Sequence, residues 1–301
     1  MIDVTLLGCG GMMPMKDRWL TSCLLTCDGR SVLIDCGEGT QIAMKCASRR
    51  VKPVELICFT HFHADHISGL PGFLLSMGNE GRTEPVTIAG PRGLERTVRS
   101  LCVIAPALPF EIRFAELKDE QTLHCGELEI DFFKARHSIE CIGYSVSLKR
   151  QGKFDPEKAV QNNVPKRIWS TLQKNGEVDY EGVHYTFDMV GGKPRKGIKV
   201  SYCTDSRPTE RIAEGVKESD LFICEGLYSE ADKTERAIKT GHMMFCEAAS
   251  LAAKAGVREL WLTHFSPALT EPQEGLPAVR EIFPNAHCGF DGKTVTLNFE
   301  D

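Results

Sequence analysis

The chain has 301 residues, 42% hydrophobic and 26% charged, with a formal net charge of −5. That is long enough to bury a sizeable core, in one large domain or two small ones. No apolar run approaches the ~18 residues of a membrane span, and the acidic balance excludes a protein that wraps nucleic acid over its whole surface.

In chain order, Met1-Ile2-Asp3-Val4-Thr5-Leu6-Leu7-Gly8 reads directly as a strand, with no basic leader ahead of an apolar stretch. The expected location is therefore the cytoplasm, and no membrane partner is expected. Residues 21–26 and 32–35, joined through Asp28-Gly29, predict a hairpin with an Asp-Gly turn. Further strand-like runs fall at 55–59, 86–89, 128–133, 198–203, 221–225 and 259–263. Between them, 38–48, 67–77, 93–104, 209–216 and 243–255 read as helices. Such alternation predicts α/β layering with mixed sheets. The 13 cysteines form no Cys-x-x-Cys pair and several sit in apolar strand-like runs. They read as buried free thiols in a reducing compartment, with no part in the chemistry. Cys36 and Cys203 fall near the site described next, without a basis to rank them.

Residues 149–199 break the pattern. They hold eleven Lys or Arg against six Asp or Glu, a local +5, which leaves −10 for the rest of the chain. Pro156 and Pro165 mark helix starts, and Gly191-Gly192-Lys193-Pro194 reads as a loop before the next strand. The segment is expected to be a basic arm inserted into a single domain spanning 1–301. Such an arm suits a polyanion, and a solvated excursion explains the same composition.

The densest signal is Thr60-His61-Phe62-His63-Ala64-Asp65-His66, directly after the strand at 55–59. In an extended segment His61 and His63 point to one side. Asp65 and His66 fall where the chain turns into a helix, so they can face a second metal. The helix N-terminus is expected to keep His66 neutral and able to ligate. Four residues cannot close two sites, and strand ends are where open α/β sheets place ligands. His137, Asp205 and His264 each follow a strand closely. Two metals about 3.5–4 Å apart would share a hydroxide made at neutral pH and clamp the attacking and leaving oxygens of an in-line displacement. A carboxylate such as Asp205 suits the bridging position, and Asp65 can ligate as well as orient or accept a proton from the attacking water. Histidines with carboxylates fit zinc, and also accept Mn2+ or Fe2+.

The motif His61-x-His63-x-Asp65-His66, followed by Gly69-Leu70-Pro71-Gly72, resembles the ribonuclease Z branch of the metallo-β-lactamase superfamily. Leu6-Leu7-Gly8-Cys9-Gly10, Ile34-Asp35-Cys36-Gly37-Glu38-Gly39-Thr40-Gln41, Glu84-Pro85-Val86-Thr87-Ile88-Ala89-Gly90-Pro91, Asp205-Ser206-Arg207-Pro208 and Leu262-Thr263-His264-Phe265-Ser266 have counterparts in the same order. The resemblance implies a four-layer αβ/βα sandwich of two mixed sheets flanked by helices. It implies one metal on His61, His63 and His137, and a second on Asp65, His66 and His264, with Asp205 bridging. It also implies two zinc ions, a homodimer and endonucleolytic removal of the 3′ trailer of precursor tRNA. Residues 149–199 correspond to an exosite arm that grips tRNA away from the cut, with Lys166 and Arg167 as candidate contacts.

Two departures stand out. The tip of the arm reads Asn163-Val164-Pro165-Lys166-Arg167-Ile168-Trp169 in place of a Gly-Pro-rich turn, and Trp169 is expected to pack. The His-Ser-Thr element of the family is His242-Met243-Met244 here. His242 still suits a general acid, while the missing hydroxyls remove candidates for seating the phosphate. The second reading is a hydrolase of small or cyclic phosphodiesters, and the third an RNA-binding protein without catalysis. The complete ligand set disfavours the third, because buried unmetallated His and Asp clusters are costly. His124, His184 and His287 match no ligand position, and Gly37 and Gly39 read as turn positions near the site.

Overall fold

The computed structural model describes residues 1–105, 107–118 and 121–300. Strands β1 (Ile2–Gly8), β2 (Ser22–Cys27), β3 (Arg30–Ile34), β4 (Val54–Cys58), β5 (Val86–Gly90) and β6 (Ile112–Glu116) lie side by side in sequence order, and the last strand, Lys293–Leu297, flanks β1. The first three pair antiparallel, whereas β3 to β6 run parallel. Asp28 (φ 47°) and Gly29 (φ 77°) turn the β2–β3 hairpin as the Asp-Gly pair predicts. Parallel strands need crossovers, supplied by α1 (Thr40–Cys46), α2 (Ala64–Ile67), α3 (Leu70–Asn79) and α4 (Leu94–Leu101).

Strand side chains alternate in direction, and both faces are apolar. Leu7, Leu24, Leu33, Ile57 and Ile88 pack with Met44, Phe73 and Leu74 on the helix side. Val4, Leu6, Cys23, Leu25, Val32 and Leu56 are buried on the other face. The Tyr144 hydroxyl, on the second sheet, donates to the Phe59 carbonyl at 2.7 Å.

That second sheet opens with β7 (Leu123–Cys125), β8 (Leu128–Lys134) and β9 (Ile142–Arg150). After an excursion holding α5 (Pro156–Gln161), α6 (Trp169–Asn175), β10 (Glu177–Tyr180) and β11 (Val183–Thr186), it resumes with β12 (Arg195–Cys203). It closes with β13 (Leu221–Glu225), β14 (Leu260–Thr263) and β15 (Ala286–Cys288), leaving Lys293–Leu297 as β16. The spatial order is β15-β14-β13-β12-β9-β8-β7, with β12 to β15 parallel and β7 to β9 antiparallel. Helices α7 (Glu210–Gly215), α8 (Thr234–Thr240), α9 (Phe245–Ala255) and α10 (Leu276–Ile282) complete this half. Two mixed sheets flanked by helices are the four-layer architecture the sequence implies.

The helix expected at 67–77 is two helices, broken after Ile67 and resumed at Leu70. The cause is a close approach. A Cβ on Gly69 would lie 2.1 Å from the Gly37 carbonyl oxygen, so the break lets two loops meet beside the site. Of the 13 cysteines, only Cys46 and Cys246 are exposed, and all are free thiols.

The chain divides into two compact units, one of them Lys149–Ile198 with the residues from Phe299 onward. This unit has its own core of Ala159, Val164, Ile168, Leu172, Phe187 and Val190. Asp155 caps α5 by accepting from the amides of Glu157 and Lys158 at 3.0 and 3.1 Å, and Pro156 sits in the first turn. The β10–β11 hairpin was not expected from the sequence. Trp169 packs as anticipated: its indole N–H donates to the Val164 carbonyl at 2.9 Å and its ring lies against Phe154. Lys166 and Arg167 are exposed beside it, Arg167 donating to the Tyr180 hydroxyl at 3.0 Å.

Candidate metal centre

Except for His137, which follows the antiparallel strand β8, and His242, the site residues stand beyond the carboxyl ends of parallel strands, where side chains from separate crossovers converge. His61 and His63 follow β4, and His63 precedes α2, which carries Asp65 and His66 in its single turn. His137 follows β8, Asp205 follows β12, His264 follows β14, and His242 lies between α8 and α9. Asp205 (φ 52°) and His264 (φ 57°) both adopt the left-handed backbone, as does Asp35 (φ 59°) after β3. That conformation is uncommon for a residue with a side chain, and here it recurs at three strand ends that turn into the site.

The side chains fall into two groups around Asp205. Oδ2 of Asp205 is 3.7 Å from His61 Nε2 and 3.6 Å from His137 Nε2, and His63 Nδ1 lies 3.0 and 3.3 Å from those same two nitrogens. The other oxygen, Oδ1, is 3.1 Å from both His66 Nε2 and His264 Nε2. Asp65 Oδ2 completes that second group, 3.6 Å from His66 and 3.3 Å from His264. The structure thus brings together all seven predicted ligands, with donor atoms close enough to share an ion within each group. His66 Nε2 and Asp205 Oδ1 are buried and neither makes a hydrogen bond, although they stand 3.1 Å apart. Atoms aimed at a common point rather than at each other fit a divalent cation.

A layer of partners orients the imidazoles, as metal sites require. Asp35 Oδ2 lies 2.8 Å from His66 Nδ1, and Asp35 also accepts from the Thr60 amide at 2.8 Å. Thr60 Oγ1 lies 3.0 Å from His61 Nδ1, and His137 Nδ1 is 3.2 Å from the Gly241 carbonyl. Each contact leaves the other ring nitrogen facing the centre. The backbone also closes in at Gly37, where a Cβ would stand 2.5 Å from the Asp65 carbonyl oxygen.

Electrostatics follow from burial and from this crowding of charge. Burial, with the charge on His66, drives His61 down to about 2, and burial also lowers His137. Asp205 is held well below the usual carboxylate range: burial opposes its ionisation, but His264, His66 and His61 surround it. In the metal-free chain His66 is drawn toward its charged form. Burial lowers its pKa, yet Asp205 and Asp35 on either side raise it well above the ordinary value, outweighing the helix N-terminus. An ion taking Nε2 must therefore displace a proton.

His242 is buried at the edge of the centre, its Nδ1 2.9 Å from Glu225 Oε2 and 3.8 Å from Asp205 Oδ2. Burial works against its charge, but Glu225 lifts it to about 9. Arg207 donates to the His242 carbonyl at 2.6 Å and pairs with Glu247, which accepts from the Met244 amide at 2.9 Å. Met244 is the N-cap residue of α9, and both it and Met243 are buried. A hydroxyl at 244 would stand at the N-cap of α9, where it could cap the helix.

Asp35 and Glu225 were not read as site residues from the sequence. The available signal was a carboxylate closing an otherwise apolar strand, as in Leu33-Ile34-Asp35 and Ile223-Cys224-Glu225. His124, His184 and His287 lie in β7, β11 and β15, outside both groups.

Comparison with known proteins agrees with this geometry. A family model described as Anti-Pycsar protein Apyc1 matches residues 2–191. Relatives named Ribonuclease Z from Agathobacter rectalis and Lachnoclostridium phytofermentans are 54% and 53% identical, covering 100% of this chain and 100% and 99% of theirs. The crystal structure of human tRNase Z, short form, superposes with a TM-score of 0.70 at 22% identity, over 99% of this chain and 100% of that one. The metallo-β-lactamase fold protein YhfI from Bacillus subtilis gives 0.70 at 19% identity, over 98% of each chain. These two likenesses establish the metallo-β-lactamase fold. With full-length relatives at such identity, the chain belongs to the ribonuclease Z family, and over residues 2–191 it also belongs to the Anti-Pycsar Apyc1 family.

Proposed function

We propose that the chain is a metal-dependent endoribonuclease that removes the 3′ trailer from precursor tRNA. The observation that carries this reading is the division of Asp205, one oxygen facing His61 and His137 and the other facing His66 and His264. A bridging carboxylate between two histidine groups is the donor set of a binuclear hydrolytic centre. Divalent ions held there would polarise a phosphodiester and activate water at neutral pH.

The chain's own residues do the rest. His61, His63, His137 and Asp205 would hold one ion, and Asp65, His66 and His264, with Asp205 shared, would hold the other. Asp65, pinned by the Met12 amide at 2.7 Å, orients the attacking water and takes its proton. His242, protonated through Glu225, donates to the departing 3′ oxygen. The basic arm, through Lys166 and Arg167, supplies sequence-independent attraction for the tRNA backbone. The family resemblance carries three finer proposals: zinc as the ion, with Mn2+ or Fe2+ also suited to these donors; a homodimer; and a cytoplasmic location.

The test is cleavage of a precursor tRNA with a 3′ trailer, mapped to the nucleotide, beside a His63→Ala control. One metal-dependent cut at the trailer junction, absent from the control, is expected. No cut, with an aryl phosphodiester still hydrolysed, would replace this reading with a small-phosphodiester hydrolase.

A further inference from the structure

A cavity of about 370 Å³ is lined by His137 together with Arg136, Ser138, Arg207, Lys239 and Thr240. It contains no carboxylate. Arg207 is committed to Glu247, but the exposed Arg136 and Lys239 have no acidic partner among the described residues. Two unneutralised cations with the Ser138 hydroxyl around a void make a wall suited to an anion, the Thr240 hydroxyl being donated to the Arg236 carbonyl at 2.9 Å.

We infer that this cavity binds a backbone phosphate of the RNA next to the scissile one, held by Arg136 and Lys239. The inference rests on the endoribonuclease reading above. Its force comes from how tightly the cavity is coupled to the metal groups. Arg136 precedes His137, and both residues line the cavity, so its wall is continuous with the metal donors. The Arg136 amide donates to Ser206 Oγ at 2.8 Å, and its carbonyl accepts from the Arg207 amide at 2.9 Å. It is thereby fixed to the loop that carries Asp205. Lys239 lies two residues before Gly241, whose carbonyl contacts His137 Nδ1 and whose neighbour is His242. An anion between these cations therefore sits at a set offset from both the metal ligands and the proton donor. A strand of RNA offers such an anion on either side of the bond being cut. Guanidinium geometry matches two phosphate oxygens at once, while the lysine acts as a point charge.

The experiment compares wild type, Arg136→Ala/Lys239→Ala, Arg136→Lys and a control pair, Arg96→Ala/Arg99→Ala, which removes the same charge from α4. Steady-state cleavage of precursor tRNA is followed across a series of salt concentrations. The double variant is expected to raise KM about tenfold with kcat within about threefold, and to reduce the slope of log KM against log salt by about 1. Arg136→Lys is expected to recover part of the KM, and the control pair to match wild type. If wild type cuts and the double variant shows the KM and salt slope of the control pair, the cavity does not hold a phosphate. If wild type itself does not cut precursor tRNA, the functional reading fails first and takes this inference with it.

Discussion

Asp35 and His66 form a hydrogen-bonded pair, 2.8 Å apart and wholly buried, that turns the opposite nitrogen of His66 toward Asp205. Asp35 contributes no metal donor, yet it fixes which face of the imidazole is offered. Asparagine is nearly isosteric with it and tolerates the left-handed backbone at this position. Asp35→Asn is therefore expected to fold and to lose metal affinity by roughly 10- to 100-fold. Competition with a chromophoric chelator measures this directly, and an unchanged affinity would make Asp35 a purely structural residue.

Asp205 predicts a stoichiometry. Each of its oxygens faces a different histidine group, so Asp205→Asn should lower occupancy of both positions together. His264→Ala removes a donor from one group only, and should leave about half of the metal that the wild type retains. Elemental analysis of the purified variants separates the cases. Equal retention by both would contradict a bridging role.

His242 gives a pH prediction. In the metal-free chain Glu225 holds it near 9 against the effect of burial. The stability this ionised pair contributes is fully present below the ordinary histidine value of about 6.5, and is lost as pH rises through about 9. Glu225→Gln keeps the shape and removes the charge, so the His242 titration followed by NMR should move to lower pH. An unmoved midpoint would mean that Asp205 alone holds the proton. In the loaded enzyme His242→Ala should lower kcat about 10²- to 10⁴-fold.

Met244 separates a cap from a phosphate seat. It is buried with Leu227, Tyr228 and Ala237, and its amide is already bonded to Glu247. Met244→Ser adds a helix cap worth about 1 kcal/mol and removes apolar burial worth about 1.5–3 kcal/mol. Thermal stability should fall modestly while kcat/KM for precursor tRNA stays within about threefold. A tenfold gain in kcat/KM would return the hydroxyl to the phosphate.

The arm should behave as a unit held by Trp169. Trp169→Ala removes the bond to Val164 and the contact with Phe154, both within Lys149–Ile198. Protease sensitivity should rise inside that segment, and KM for precursor tRNA should rise several-fold with metal content unchanged. Loss of metal on this substitution would show that the arm shapes the centre.

Much of this molecule was legible in the residues alone, where the physics is local. Alternating apolar runs marked the strands, Asp28-Gly29 fixed its hairpin, Asp155-Pro156 started a helix, and His61, His63, Asp65 and His66 declared a metal motif by their spacing. The basic arm was visible as charge. What the residues did not declare depends on distances between points far apart in the chain. Asp35 and His66 are 31 positions apart, and His61 and Asp205 meet only where two sheets converge. Coulomb and hydrogen-bond energies fall off over a few ångströms, so only the fold decides which carboxylate meets which imidazole. That is why the carboxylates flanking His66, the partner of His242, the capping place of Met244 and the cations beside His137 emerged from the tertiary structure.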